Sequence, residues 1–116
     1  MVKKRKVEIP VIAGASNVFA DLGFAEPEEE LTKAQLASHI RGVIKRRRLT
    51  QATAAKLIGV DQPKISALLN GRLANFSSER LMRMLTALGQ DVQIVVKAKP
   101  RSRTRGRIRV VGEAHA

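Results

Sequence analysis

The chain has no cysteine, no tryptophan and no tyrosine. Without cysteine there is no disulfide framework, no thiolate zinc site and no cysteine nucleophile, which fits a protein of the reducing cytoplasm. The aromatics are Phe19, Phe24 and Phe76 alone. That is too few for a surface that holds single strands by stacking bases on rings. No apolar run is long enough to span a bilayer, so no membrane partner is expected. The basic residues 1–6 are followed by a short apolar run that carries Glu8 and Pro10, which argues against a signal peptide. The constellations of an enzyme are missing as well. There is no phosphate-cradling glycine loop and no HExxH, and the carboxylates crowd into residues 26–30 instead of facing each other across a cleft. His39 and His115 stand apart. No carboxylate cluster joins His39 at metal-ligand spacing, so it reads as a surface or edge residue. No catalytic residue, no metal and no cofactor is expected.

What the chain has is positive charge. Lys and Arg number 22 against ten Asp and Glu, a net charge of +12 in 116 residues. The length suggests one domain with tails, and the charge points to a polyanion, nucleic acid first.

Residues 49–71, LTQATAAKLIGVDQPKISALLNG, organise the rest. They read as two short helices and a tight turn. Thr50 is placed to cap the first helix, which has Ala54, Ala55, Leu57 and Ile58 on its apolar side. Gly59 stands where the helix must end in a left-handed conformation, and Val60 plugs the corner. Asp61 is placed to cap the second helix, with Pro63 in the first turn where its missing N–H is not needed. Ile65, Leu68 and Leu69 recur at helical spacing and face inward, and Asn70 and Gly71 end the helix. Small Ala55 lets the two helices cross closely.

Six of these residues, Gln51, Ala55, Gly59, Val60, Ile65 and Leu68, fall in register with the helix-turn-helix of phage-repressor-type (Xre/Cro) regulators, which the stretch resembles. The alternative is an ordinary helical hairpin in a small core. The expected fold is all-α: a phage-repressor-like bundle of about four to five helices, with a short C-terminal β-strand and flexible tails.

With the aliphatics of the second helix turned inward, its first turn and far side are free. Gln62 leads there, because an amide can pair with adenine in the major groove. The resemblance implies that Gln62 reads a base, that Gln51 braces it and touches phosphate, and that Asn70 contacts phosphate. Pro63 departs from the family pattern, standing where a polar residue often sits. Lys64 and Ser66 are candidate phosphate or base contacts. Lys45, Arg46, Arg47 and Arg48 have two readings: cations favoured at a helix C-terminus, or, for Arg47 and Arg48, contacts to the DNA backbone.

The flanking segments complete the plan. Residues 1–25 form a flexible arm with a possible short helix over 16–23, where Val18, Phe19 and Leu22 share a face too small to fold alone. This face either staples onto the domain's own core or docks on a partner. Residues 26–90 form the DNA-binding domain. Its first long helix opens on Pro27 and the four glutamates of residues 26–30 and carries the stripe Leu36, Ala37, Ile40, Val43 and Ile44. A later helix, capped by Ser77, carries Leu81, Met82, Leu85 and Leu88 and ends at Gly89. Over 91–98 the period changes to two, as in a strand. Val92, Ile94 and Val96 alternate with Gln93, Val95 and Lys97. A lone strand must pair with residues 108–111, with a second copy of itself or with a partner. Val92, Ile94, Val95 and Val96 are therefore candidate dimer residues, and a homodimer would read a palindromic operator. Residues 99–116 form a disordered basic tail by composition, either solvated or tracking phosphates.

The order SNVFADLGF, an acidic stretch, LTKAQLASHI and the helix-turn-helix resembles HigA-like antitoxins over roughly residues 16–99. That resemblance implies a RelE/HigB-like ribonuclease toxin as a partner, bound through Val18, Phe19 and Leu22, and repression of the chain's own operon. Two further readings stay open. One is a stand-alone Xre-type repressor, and the other is a nonspecific nucleic-acid-binding protein. All three place the chain in the cytoplasm, on the nucleoid when bound to DNA.

Overall fold

A computed structural model describes residues 25–112. The chain divides into two units, Met1–Glu30 and Leu31–Ala116. The expected short helix over 16–23, with Val18, Phe19 and Leu22, lies outside the described residues, as does His115.

Helix α1 spans Ala25–Arg46. Leu36, Ala37, Ile40, Val43 and Ile44 recur at spacings of one, three and four residues, and all five are buried. This is the stripe by which a surface helix attaches to a core. The helix closes with Arg48 N–H donating to the Lys45 carbonyl and Leu49 N–H to the Ile44 carbonyl. That pattern needs a left-handed residue at its hinge, and Arg48 fills the position with φ +55°.

Helix α2 is Gln51–Ile58 and helix α3 is Gln62–Leu69. Thr50 Oγ1 accepts from the N–H of Thr53 at 3.0 Å, and Asp61 Oδ1 from the N–H of Lys64 at 3.2 Å. Each cap relieves one of the free N–H groups that a helix start leaves. Gly59, at φ +86°, turns the chain between them, and its N–H and that of Val60 both reach back to the Ala55 carbonyl. A side chain at this φ would strain the turn. Helix α4, Ser78–Ala87, is capped by Ser77 Oγ accepting from Arg80 N–H at 3.0 Å. On its exposed face Glu79 and Arg83 pair at 2.8 Å, a contact of the kind that contributes only a few tenths of a kcal/mol.

Helix α2 packs against α3 and α4. Ala54 and Ala55 sit at the crossing and are buried, which lets the backbones approach. One core joins the four helices, and its largest fully enclosed side chains are Ile40, Ile65, Leu68, Leu81 and Leu88. Truncating any of them to alanine would cost about 2–5 kcal/mol. Leu73 and Phe76, from the α3–α4 connection, close the core. The expected all-α helix-turn-helix bundle is the observed fold, with four helices among the described residues.

Three local expectations change. Leu57 is exposed, so the apolar side of α2 consists of Ala54, Ala55 and half-buried Ile58. The β-strand expected over 91–98 is not seen: the described residues contain no strand, and among them 108–111 makes no ladder with 91–98. A strand needs a neighbour for its backbone groups, and none is supplied among the described residues. Val92 tucks against the core, while Ile94, Val95 and Val96 are 78%, 77% and 90% exposed. Finally, within the basic tail expected over 99–116, the described residues turn at Pro100, whose carbonyl accepts from Arg103 N–H at 3.2 Å, and Val110 packs against the core.

Candidate nucleic-acid interface

Burial of Ile65 and Leu68 fixes the rotation of α3 about its axis. Gln62 and Pro63 in the first turn then face solvent, with Lys64 and Ser66 half-exposed. Gln51 is the first residue of α2 as Gln62 is of α3. The caps on Thr50 and Asp61 start both helices beside one another. Gln51, Gln62, Pro63 and Ser66 line a single open depression. Four of the residues singled out in the sequence thus meet on one surface. Its chemistry is that of recognition: two amides and a hydroxyl around a proline ring, with no ionised group among them. Asp61, exposed beside Gln62, has one carboxylate oxygen engaged by the Lys64 N–H, as a cap and not as a ligand.

The remaining candidates are held differently. The Asn70 Nδ2 group donates to the Ser66 carbonyl at 2.9 Å, closing the end of α3. Lys64 Nζ stands 6.0 Å from the centroid of the Phe76 ring, and the Arg80 guanidinium stands 5.7 Å from it. Phe76 thus ties α3 to α4 by cation–π attraction as well as by burial. Arg47 donates from its guanidinium to the Leu88 carbonyl at 3.0 Å, so the end of α1 caps the end of α4. Arg48 is exposed and free of that task. The roles of Arg47 and Phe76 had no local signal in the sequence. Arg47 and Leu88 are 41 residues apart, and only the fold brings them together.

Among the described residues no group of three or more His, Asp or Glu is placed to hold a metal ion. None of the described helices is long and apolar enough to cross a membrane.

Two capped helices joined at a left-handed glycine, with the polar starts of both lining one open surface, define a helix-turn-helix module. The chain belongs to the helix-turn-helix domain family, whose model matches residues 18–97. It is also similar to a solved structure described as "Putative XRE Family Transcriptional Regulator", at 53% identity and a TM-score of 0.73, covering 76% of this chain and 99% of that one. No curated protein matches the chain.

Proposed function

We propose that this chain is a transcriptional regulator of the XRE type that binds double-stranded DNA in a sequence-specific manner. The observation that carries the reading is the convergence of Gln51, Gln62, Pro63 and Ser66 on one open face beside a helix of fixed rotation. A helix presented in this way fits the major groove, where base edges are distinguishable. The net charge of +12 supplies the nonspecific attraction that such a protein adds to base reading. Fluorescence anisotropy tests it. A duplex from the region upstream of the chain's own reading frame should bind at least about a thousand-fold more tightly than a scrambled duplex of equal length and salt. Equal affinities would favour the nonspecific nucleic-acid-binding alternative.

The finer reading is an antitoxin that represses its own operon and neutralises a RelE/HigB-like ribonuclease. Its support lies in the sequence. SNVFADLGF precedes an acidic stretch and the helix-turn-helix, and the family match begins at residue 18, so Val18, Phe19 and Leu22 fall within the shared pattern. A homodimer on a palindromic operator, acting in the cytoplasm, completes this reading. A stand-alone repressor is its alternative, and co-purification with the product of the adjacent reading frame separates the two.

A further inference from the structure

The segment between Val92 and Val110 is tied to the domain at both ends. Val92 and Val110 pack against the core. The Val110 N–H donates to Gln35 Oε1 at 3.1 Å in a partly buried contact. Two residues on, Gly112 lies so close to the His39 ring that a Cβ there would collide with it. Gln35 and His39 stand four residues apart on α1, on the same face. Residues 93–109 are therefore a loop closed on α1, not a free tail.

The loop is charged in a regular way. A cation stands at every second position from Lys97 to Arg109, seven in all, and no acidic residue falls between them. The chain turns at Pro100, and beyond the turn the Arg103 guanidinium donates to the Arg105 carbonyl at 3.4 Å. The Arg107 guanidinium is held below its ordinary value, chiefly by the charge of Arg103, with desolvation and Arg109 adding to it. Crowded like charges at a surface are unfavourable unless a polyanion supplies the counter-charge. The loop also lacks any aromatic residue, so it offers no platform for stacking unpaired bases. Evenly spaced cations without rings suit a phosphate backbone.

We propose that this anchored loop is a second DNA-binding element, gripping the sugar–phosphate backbone of the duplex whose bases α3 reads. The proposal rests on the DNA-binding reading given above. The anchor matters because a loop already closed has less conformational freedom to lose on binding than a free tail.

The test is the salt dependence of affinity for a fluorescein-labelled mixed-sequence duplex, measured with the full chain. In the triple variant R103Q/R107Q/R109Q the slope of log affinity against log salt should fall by about 2–3, at about 0.9 per lost phosphate contact. Discrimination between the upstream duplex and a scrambled one should persist, because base reading is left to α3. A triple variant with the wild-type slope overturns the proposal while leaving the DNA reading intact. A wild-type chain that binds no duplex at all overturns both. A triple variant that keeps duplex affinity but loses affinity for single-stranded RNA overturns it in favour of RNA. The second variant, Q35A/G112V, keeps all seven charges and releases the anchor. Its slope should match the wild type while its affinity falls several-fold, with circular dichroism showing the helices intact. Wild-type affinity in that variant overturns the role of the anchor.

Discussion

The guanidinium of Arg47 donates to the carbonyl of Leu88 across 3.0 Å, joining the ends of α1 and α4. The last carbonyls of a helix have no intrahelical partner and form the negative end of its dipole. Arg47 supplies both a donor and a positive charge there. The neighbouring Arg48 is exposed as well, but it carries a left-handed backbone and makes no such bridge. Two adjacent arginines that look interchangeable in the sequence have distinct tasks.

Replacing Arg47 with alanine should destabilise the domain by about 1 kcal/mol, a figure discounted because the side chain is largely exposed. For a domain of this size that lowers the melting temperature by roughly 4–8 °C. DNA affinity at a temperature where the variant is fully folded should change little. A variant with wild-type melting behaviour and weakened DNA binding would return Arg47 to the phosphate backbone.

Arg48→Gly should have the opposite effect on stability. A left-handed conformation costs a non-glycine residue about 1–2 kcal/mol. Glycine relieves that cost but loses about 0.5–1 kcal/mol more backbone entropy on folding. The net expectation is a gain of up to about 1.5 kcal/mol, read as a higher urea midpoint with an unchanged slope. Affinity for DNA should drop at low salt and converge on the wild type at high salt. An arginine kept where glycine is more stable fits a residue retained for binding. A destabilised Arg48→Gly with unaltered DNA affinity would sink that view.

The parts of this structure that were legible in the sequence are local. Thr50, Asp61 and Ser77 each cap a helix three residues upstream of the N–H they accept, and the stripe from Leu36 to Ile44 repeats within one helix. Gly59 needs only its own φ to end α2. The parts that were not legible depend on distant partners. Arg47 reaches Leu88 over 41 residues, and Gln35 reaches Val110 over 75. The strand over 91–98 shows the same limit from the other side. Its period of two and its β-branched residues mark a segment able to pair, but pairing depends on a neighbour the sequence cannot name. Leu57 was misplaced because an eight-residue helix has too few turns to fix its rotation by periodicity alone.

Base reading is expected to centre on Gln62. Gln62→Ala should reduce the preference for the operator over a scrambled duplex by about 1–3 kcal/mol, the worth of one bidentate contact. Affinity for the scrambled duplex should hardly move, because the residue is neutral and exposed. Gln51→Ala should give a smaller loss of the same kind, since Gln51 lines the same depression as Gln62 and its proposed role is to brace it. Equal losses on both duplexes would reassign Gln62 to the backbone.

Removal of residues 1–24 separates the two proposed activities. Helix α1 begins at Ala25, so the deletion leaves every described helix whole. Operator affinity should stay near the wild-type value, while co-expressed toxin from the adjacent reading frame should no longer be retained or neutralised. Phe19→Ala with Leu22→Ala in the full chain should reproduce the loss. A deletion that unfolds the domain would assign these side chains to its core.

Ile94, Val95 and Val96 leave the most direct question about assembly. Three consecutive β-branched residues are 78%, 77% and 90% exposed, and their backbone groups meet no ladder among the described residues. Strand edges of this kind are templates for pairing with another chain. Val95 carries the most information, because it lies on the face opposite Ile94 and Val96 when the segment is extended. A strand with one wet face would place a polar residue there. A second copy pairing edge to edge would satisfy the backbone and cover the apolar side chains. It would also set two α3 helices to read half-sites about 34 Å apart on a palindrome. We therefore predict a homodimer, and a folded monomer when Ile94 and Val95 are both replaced by lysine. Neither side chain contributes to the core, so far-ultraviolet dichroism should be unchanged. Sedimentation should show half the wild-type mass, and operator affinity should fall to the level of nonspecific binding. A wild-type chain that sediments as a monomer at micromolar concentration and binds a single half-site with full affinity would rule the dimer out.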